Sequence, residues 1–143
     1  MTHVQILPEN NQSIDYGLLF IRIGLGAMFL WHGYPKIASG PDGWKELGES
    51  MKYLGIDFFP KVWGFLGATS EFVGAVLLFV GFRFRLACIM LAATMSVAAV
   101  SHFGAGEGMF GASNAIEDAI VFVGLVFIGP GKLSVDKRFA RLN

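Results

Sequence analysis

Seven ionisable side chains stand within or beside long apolar runs of this chain: Arg22, His32, Lys36, Glu71, His102, Glu117 and Asp118. An ionisable group at membrane depth is costly, so each one calls for a partner, a wet cavity or a function. Arginine and glutamate can offset each other's burial by pairing, and histidine adds a group able to exchange protons near neutral pH. On this basis His32 and His102 are the candidate catalytic residues. Arg22, His32, Lys36, Glu71, His102 and Glu117 are the candidate cofactor-binding set.

The elements that must carry these residues follow from composition. The chain has 143 residues, 54% hydrophobic and only 15% charged, with a mean hydropathy of +0.57. A soluble domain carries about a quarter charged residues, so this balance, clustered into runs, marks an all-α integral membrane protein. The runs are too long for barrel strands, and backbone polar groups in lipid must be satisfied within the segment. A single four-helix bundle spanning 1–143 is therefore expected. The formal charge is zero; with no basic stripe, nucleic acid is excluded as a partner. The lone Cys88 excludes an internal disulfide and multi-cysteine metal motifs.

Spans are predicted at about 14–38, 60–82, 86–103 and 114–129. Residues Met1–Ser13 read as a polar tail. With no Lys or Arg and no apolar core before the first span, a cleaved signal peptide is not expected, and that span serves as an uncleaved anchor. Asp15 or Ser13 is placed to cap its start, and Ser39-Gly40-Pro41 ends it. Between spans one and two, Asp42–Leu54 puts Trp44, Leu47, Met51 and Leu54 on one face, the pattern of an amphipathic helix in the membrane interface. Spans two and three form a hairpin. The glycine-rich GAGEGMFGAS reads as a loop; it lacks the strand and lysine of a phosphate loop. Gly67, Glu71, Gly74, Leu78 and Gly81 share one face of span two, and Ala92, Ser96 and Ala99 one face of span three, suiting close helix packing. Val135, Phe139 and Leu142 are spaced for a short terminal surface helix. Arg83, Arg85, Lys132, Lys137, Arg138 and Arg141 fall on one side, which places both termini in the cytoplasm.

That orientation gives each polar residue a depth. Arg22 and Glu71 come within reach of each other between spans one and two, as a pair fixing helix register or as a polar backstop to a ligand. His32, His102, Glu117 and Asp118 fall in one layer near the outer interface, with Glu117 and Asp118 in the first turns of span four. Three readings stay open for this layer. It is a set of interfacial side chains wetted by headgroups, a pocket for a small polar head such as a quinone carbonyl, or a site for a metal or for haem held by two histidines. No Glu-x-x-His pair is present, so a di-iron bundle is not indicated. Trp31, Tyr34, Trp44, Tyr53 and Trp63 form an aromatic belt at the same level.

RIGLGAMFLWHGYPK in span one, EFVGAVLLFVGF in span two and the closing IGPGKLSVD together resemble the DoxX family of small four-helix membrane proteins. The resemblance covers about Asp15–Asp136. It implies a bacterial or archaeal cytoplasmic (inner) membrane location, and Arg22, His32, Gly33, Lys36, Glu71 and Gly74 as family-typical residues. It also implies association with thiosulfate:quinone oxidoreductase-type complexes, hence quinone as the cofactor and a redox protein as the partner within the bilayer. The rivals are a non-catalytic scaffold subunit, a haem protein and a small-solute carrier. Self-association stays open.

Overall fold

The structure, a computed structural model, describes residues 11–140, and among them there is no strand. Among the described residues, four helices are long and apolar enough to cross a membrane. They are α1 (Asn11–Ala38), α3 (Pro60–Val80), α4 (Phe84–Gly104) and α5 (Gly108–Ile128). A short α2 (Gly40–Gly48) and a 3-10 turn (Glu49–Leu54) link α1 to α3, and a five-residue α6 (Val135–Phe139) closes the described chain. Only 22–33% of the residues in each apolar window are buried within the bundle. Large side chains such as Phe20, Trp31, Phe110 and Phe127 point outward, as expected of helices whose solvent is hydrocarbon.

α1 packs on α3, α3 on α4 and α4 on α5, while α1 and α5 form no extended seam. The core is a column of Leu18, Phe29, Ala75, Leu78, Phe84, Cys88, Leu91 and Phe122. No hydrophobic force draws helices together in lipid, so small residues set how closely they approach. Gly26 and Gly33, two turns apart on α1, lie against Phe79 and Phe72 of α3: a Cβ at Gly26 would collide with the Phe79 Cβ, and one at Gly33 would press on the Phe72 backbone. Gly48 of α2 and Gly64 of α3 cross in the same way, each meeting the other helix's backbone. α2 is thereby tied to the first half of α3.

Several boundaries differ from expectation. α1 already begins at Asn11, so Ser13 and Asp15 do not cap it, and it runs unbroken through Pro35. The expected helix at Asp42–Leu54 divides into α2 and the 3-10 turn. Ser96 turns outward and bonds the Ala92 carbonyl rather than joining the packed face of α4. Most of the glycine-rich loop is helical, because burial of Ala112 and Ala115 extends α5 back to Gly108. Glu117 and Asp118 therefore sit near the middle of a 21-residue helix, far from its N-terminal dipole. The expectations for the polar tail before residue 11, and for Arg141 and Leu142, lie outside the described residues.

The IGPGKLSVD segment clasps one end of the bundle. Arg22, 2% exposed, donates from Nη1 to the Pro130 carbonyl and from Nη2 to the Leu133 carbonyl, both at 2.8 Å. Asp15 accepts from the Lys132 amide at 2.7 Å. Asp136 accepts from the Arg83 and Phe84 amides at 2.8 and 2.9 Å, and so caps α4 from a distance. Its own amide donates to the Gly81 carbonyl. Charged acceptors on backbone donors are the stronger class of hydrogen bond. Asp136→Ala is expected to cost about 1–3 kcal/mol, read as a lower midpoint of thermal unfolding in detergent. Arg138→Ala, which changes an exposed side chain, leaves the midpoint in place; equal midpoints for wild type and D136A would remove the clasp from the account.

Candidate functional site

At the other end of the bundle, α1 and α5 lie on two sides of a hollow. They touch where Phe29 meets Phe122 edge-on, with ring centroids 5.0 Å apart. Between that contact and the α2 end, a cavity of about 570 Å³ opens, lined by α1, α3, α4 and α5. Its depth falls between the middle of the helices and the end that carries α2.

One stripe of α1 supplies Leu25, Met28, Phe29, His32 and Lys36, the 3.6-residue period that puts them on one face. α4 supplies Met95, Ala98 and His102 at the same spacing, and α5 supplies Asn114, Glu117 and Asp118. α3 contributes Glu71 alone. The inner wall is apolar and the outer rim polar. His32, Asn114 and Glu117 are exposed along the open α1–α5 side, and Asp118 is half-buried.

Glu71 is the anchor of this arrangement. Its side chain is 3% exposed, and Oε2 accepts from the Lys36 ammonium at 2.5 Å. The lysine side chain keeps 38% of its surface accessible, so one face of the pair remains open to the cavity. The main chain of Lys36 is held as well, since its carbonyl accepts from Trp44 Nε1 of α2 and from Ser39 Oγ. α2 thus braces the end of α1 that carries the charge. His102 Nδ1 lies 2.8 Å from Glu107 Oε2. A carboxylate there favours the proton on Nδ1 and leaves Nε2 as the free acceptor or second donor.

The expected Arg22–Glu71 pair does not form. Arg22 spends its donors on the Pro130 and Leu133 carbonyls at the far end, and Glu71 takes Lys36 instead. Two side chains of opposite sign on neighbouring helices made the first pairing plausible; level along the helices decided against it, because Gly33 lies against Glu71 and Phe72 while Arg22 lies level with Gly81. Arg22 is absent from the cavity lining, whereas His32, Lys36, Glu71, His102 and Glu117 all belong to it. The apolar wall of Leu25, Met28, Phe29 and Met95 was not singled out from the sequence. Its signal was available in the spacing from Leu25 to Lys36. Among the described residues, no group of three or more His, Cys, Asp or Glu side chains is arranged to hold a metal ion.

Comparison with known proteins adds the family. A sequence profile described as DoxX matches residues 17–104, which include α1 from Gly17 onward, α2, α3, α4 and the Lys36–Glu71 pair. The chain belongs to the DoxX family. Its relatives include a Bacillus subtilis (strain 168) protein named "Putative oxidoreductase CatD", 28% identical over 59% of this chain and 58% of that one. A Haemophilus influenzae protein described only as "Uncharacterized protein" is 28% identical over 87% of this chain and 91% of its own. No solved structure gives a significant match. With its four apolar helices, this DoxX member is a multi-pass membrane protein.

Removing one partner of a buried pair leaves the other charge uncompensated, at about 3–5 kcal/mol when both are fully dry. With Lys36 partly open, Lys36→Met is expected to fall at or below the lower end of that range, measured by thermal unfolding in detergent. The double variant Lys36→Met/Glu71→Gln recovers most of the loss. Additive losses in the double variant would mean that the two groups do not depend on each other.

Proposed function

We propose that this DoxX protein is the membrane subunit or partner of a quinone-linked oxidoreductase, and that the cavity receives the quinone head. The observation that carries the reading is the cavity's construction: an apolar inner wall and a polar rim of titratable groups, of which His32 of α1 and Glu117 of α5 are exposed. Sites for small ligands are mostly apolar with few convergent polar groups, and 570 Å³ lies within their usual volume range. The name of the Bacillus relative supports a redox setting.

The residues fit a quinone by donor chemistry. A bound quinone supplies a carrier for two electrons and two protons. His32 and Lys36 offer N–H donors for its carbonyl oxygens, and Glu71 holds the lysine at the right depth. Leu25, Met28, Phe29 and Met95 exclude water from the ring side. His102, backed by the exposed Glu107, carries protons between the end of the bundle and the cavity, the role of a general acid–base pair. His32 and His102 are thus the catalytic candidates. Electrons come from a partner protein.

In this reading the described termini face the cytoplasm, because the end holding Arg83, Arg85, Lys132, Lys137 and Arg138 is the more basic one. The cavity then lies in the outer half of a bacterial or archaeal inner membrane, and α2 rests in the outer interface. A second reading has an observation of its own. His32, Asn114 and Glu117 are exposed at membrane depth, where bare lipid is an unfavourable neighbour. That favours a neighbouring subunit over this side, and an accessory, non-catalytic role within a larger complex.

The test is to purify the protein in mild detergent, record its absorption spectrum and extract bound lipid for quinone. Quinone is expected in the wild type, with at least a tenfold loss in His32→Ala and no loss in the exposed variant Lys45→Gln. A quinone-free, colourless protein that copurifies stoichiometrically with another membrane protein would support the accessory role instead. A Soret band abolished by His32→Ala would replace quinone with haem.

A further inference from the structure

At the clasp end a second cavity, of about 410 Å³, lies between the start of α4, the Gly-Pro-Gly link and α6. Arg83, Arg85 and Lys137 line it together with Asp136, so its side chains carry a net positive charge. None of the three cations has a carboxylate within ion-pair distance among the described residues. Asp136 is already engaged by the Arg83 and Phe84 amides. The Arg83 backbone and the Arg85 guanidinium are each anchored. Arg83 takes a left-handed backbone conformation, φ 47°, that non-glycine residues seldom adopt, and Asp136 holds its amide there. Arg85 Nε donates to the Val126 carbonyl at 3.1 Å, which orients the guanidinium across the α4–α5 groove and leaves both Nη groups free of protein partners among the described residues.

The surroundings say how an anion arrives. Leu86 lines the cavity and is half exposed, and Phe127 and Ile128 of α5 lie bare just before the Gly-Pro-Gly link. Phe82 and Phe139 stack loosely, with ring centroids 6.3 Å apart, and present a further apolar surface at this end. A cationic hollow at the end of membrane helices, bordered by bare aliphatic and aromatic side chains, matches an amphiphile with an anionic head and acyl tails. The bidentate geometry of arginine suits phosphate oxygens. We infer that Arg83, Arg85 and Lys137 form a binding site for the phosphodiester head of an anionic phospholipid, with its tails along Leu86 and the exposed face of α5. Basic pockets at helix ends are a recognised way for membrane proteins to select such lipids. This site is separate from the quinone cavity and stands or falls apart from it.

The full-length protein in detergent is titrated with phosphatidylglycerol, phosphatidylcholine or inorganic phosphate at matched ionic strength, and its thermal midpoint is followed. Phosphatidylglycerol is expected to raise the midpoint by several degrees more than phosphatidylcholine, and inorganic phosphate far less than the lipid. Arg83→Gln and Lys137→Gln, neither of which removes a side-chain bond within the protein, are expected to shift the phosphatidylglycerol titration about tenfold. Lys132→Gln, outside the cavity, leaves it unchanged. Equal responses to the two lipids would overturn the inference, as would an equal loss in Lys132→Gln or full retention in both cavity variants. Inorganic phosphate matching the lipid would assign the site to a free anion instead.

Discussion

A charge placed among apolar helices must find its counter-charge or its hydrogen bonds inside the bundle, and this constraint shapes both ends of the protein. Glu71 is the most demanding case. It sits in the middle of α3 with almost no accessible surface, and the Lys36 ammonium answers it from α1. That one contact fixes the rotation of α1 against α3 and the level at which α1 ends. Gly26 and Gly33 make it reachable, because a side chain at either would press on Phe79 or Phe72 of α3. Trp44 of α2 then bonds the Lys36 carbonyl, so the connecting segment is part of the same support.

The two ends solve the problem differently. At the clasp, Arg22, Asp15 and Asp136 are consumed by backbone groups of the turn and link segments. Such bonds to the backbone lend rigidity, although the buried Arg22 Nε has no partner among the described residues. At the opposite end, His32, Asn114, Glu117 and Asp118 line a hollow with much of their hydrogen-bonding capacity uncommitted. The backbone-bonded clasp and the titratable hollow thus lie at opposite ends of the bundle, with the Phe29–Phe122 contact between them.

Much of this was legible in the residues. Four apolar runs, their order and the hairpin between the middle pair follow from hydropathy and turn chemistry, because lipid leaves few alternatives to a helix. The grouping of His32, His102, Glu117 and Asp118 at one level was also readable, since alternation of helix direction fixes depth. The finer register of α1 along α3 was not. Whether Glu71 meets Arg22 or Lys36, which lie on nearly the same face of α1, depends on how far α1 is slid along α3; the close approaches at Gly26 and Gly33 decide it, and Gly17, Gly24, Gly26 and Gly33 look alike in sequence. The start of α5 was hidden for a related reason. Glycine content marks a loop by local preference, whereas packing of Ala112 and Ala115 on α4 draws the same residues into a helix. Asp136 was visible as part of a motif, but its task as a remote cap requires knowing that the chain returns to the α3–α4 turn.

The central claim is that the cavity above Phe29 receives a quinone head. A photoreactive quinone with the label on its ring, activated in membranes holding the intact protein and followed by peptide mapping, tests it most directly. Labelling is predicted within Leu25–Lys36 of α1 and Met95–His102 of α4, suppressed by excess unlabelled quinone. Labelling confined to the outward-facing residues Phe20, Phe110 or Phe127, or unaffected by competitor, would contradict the claim.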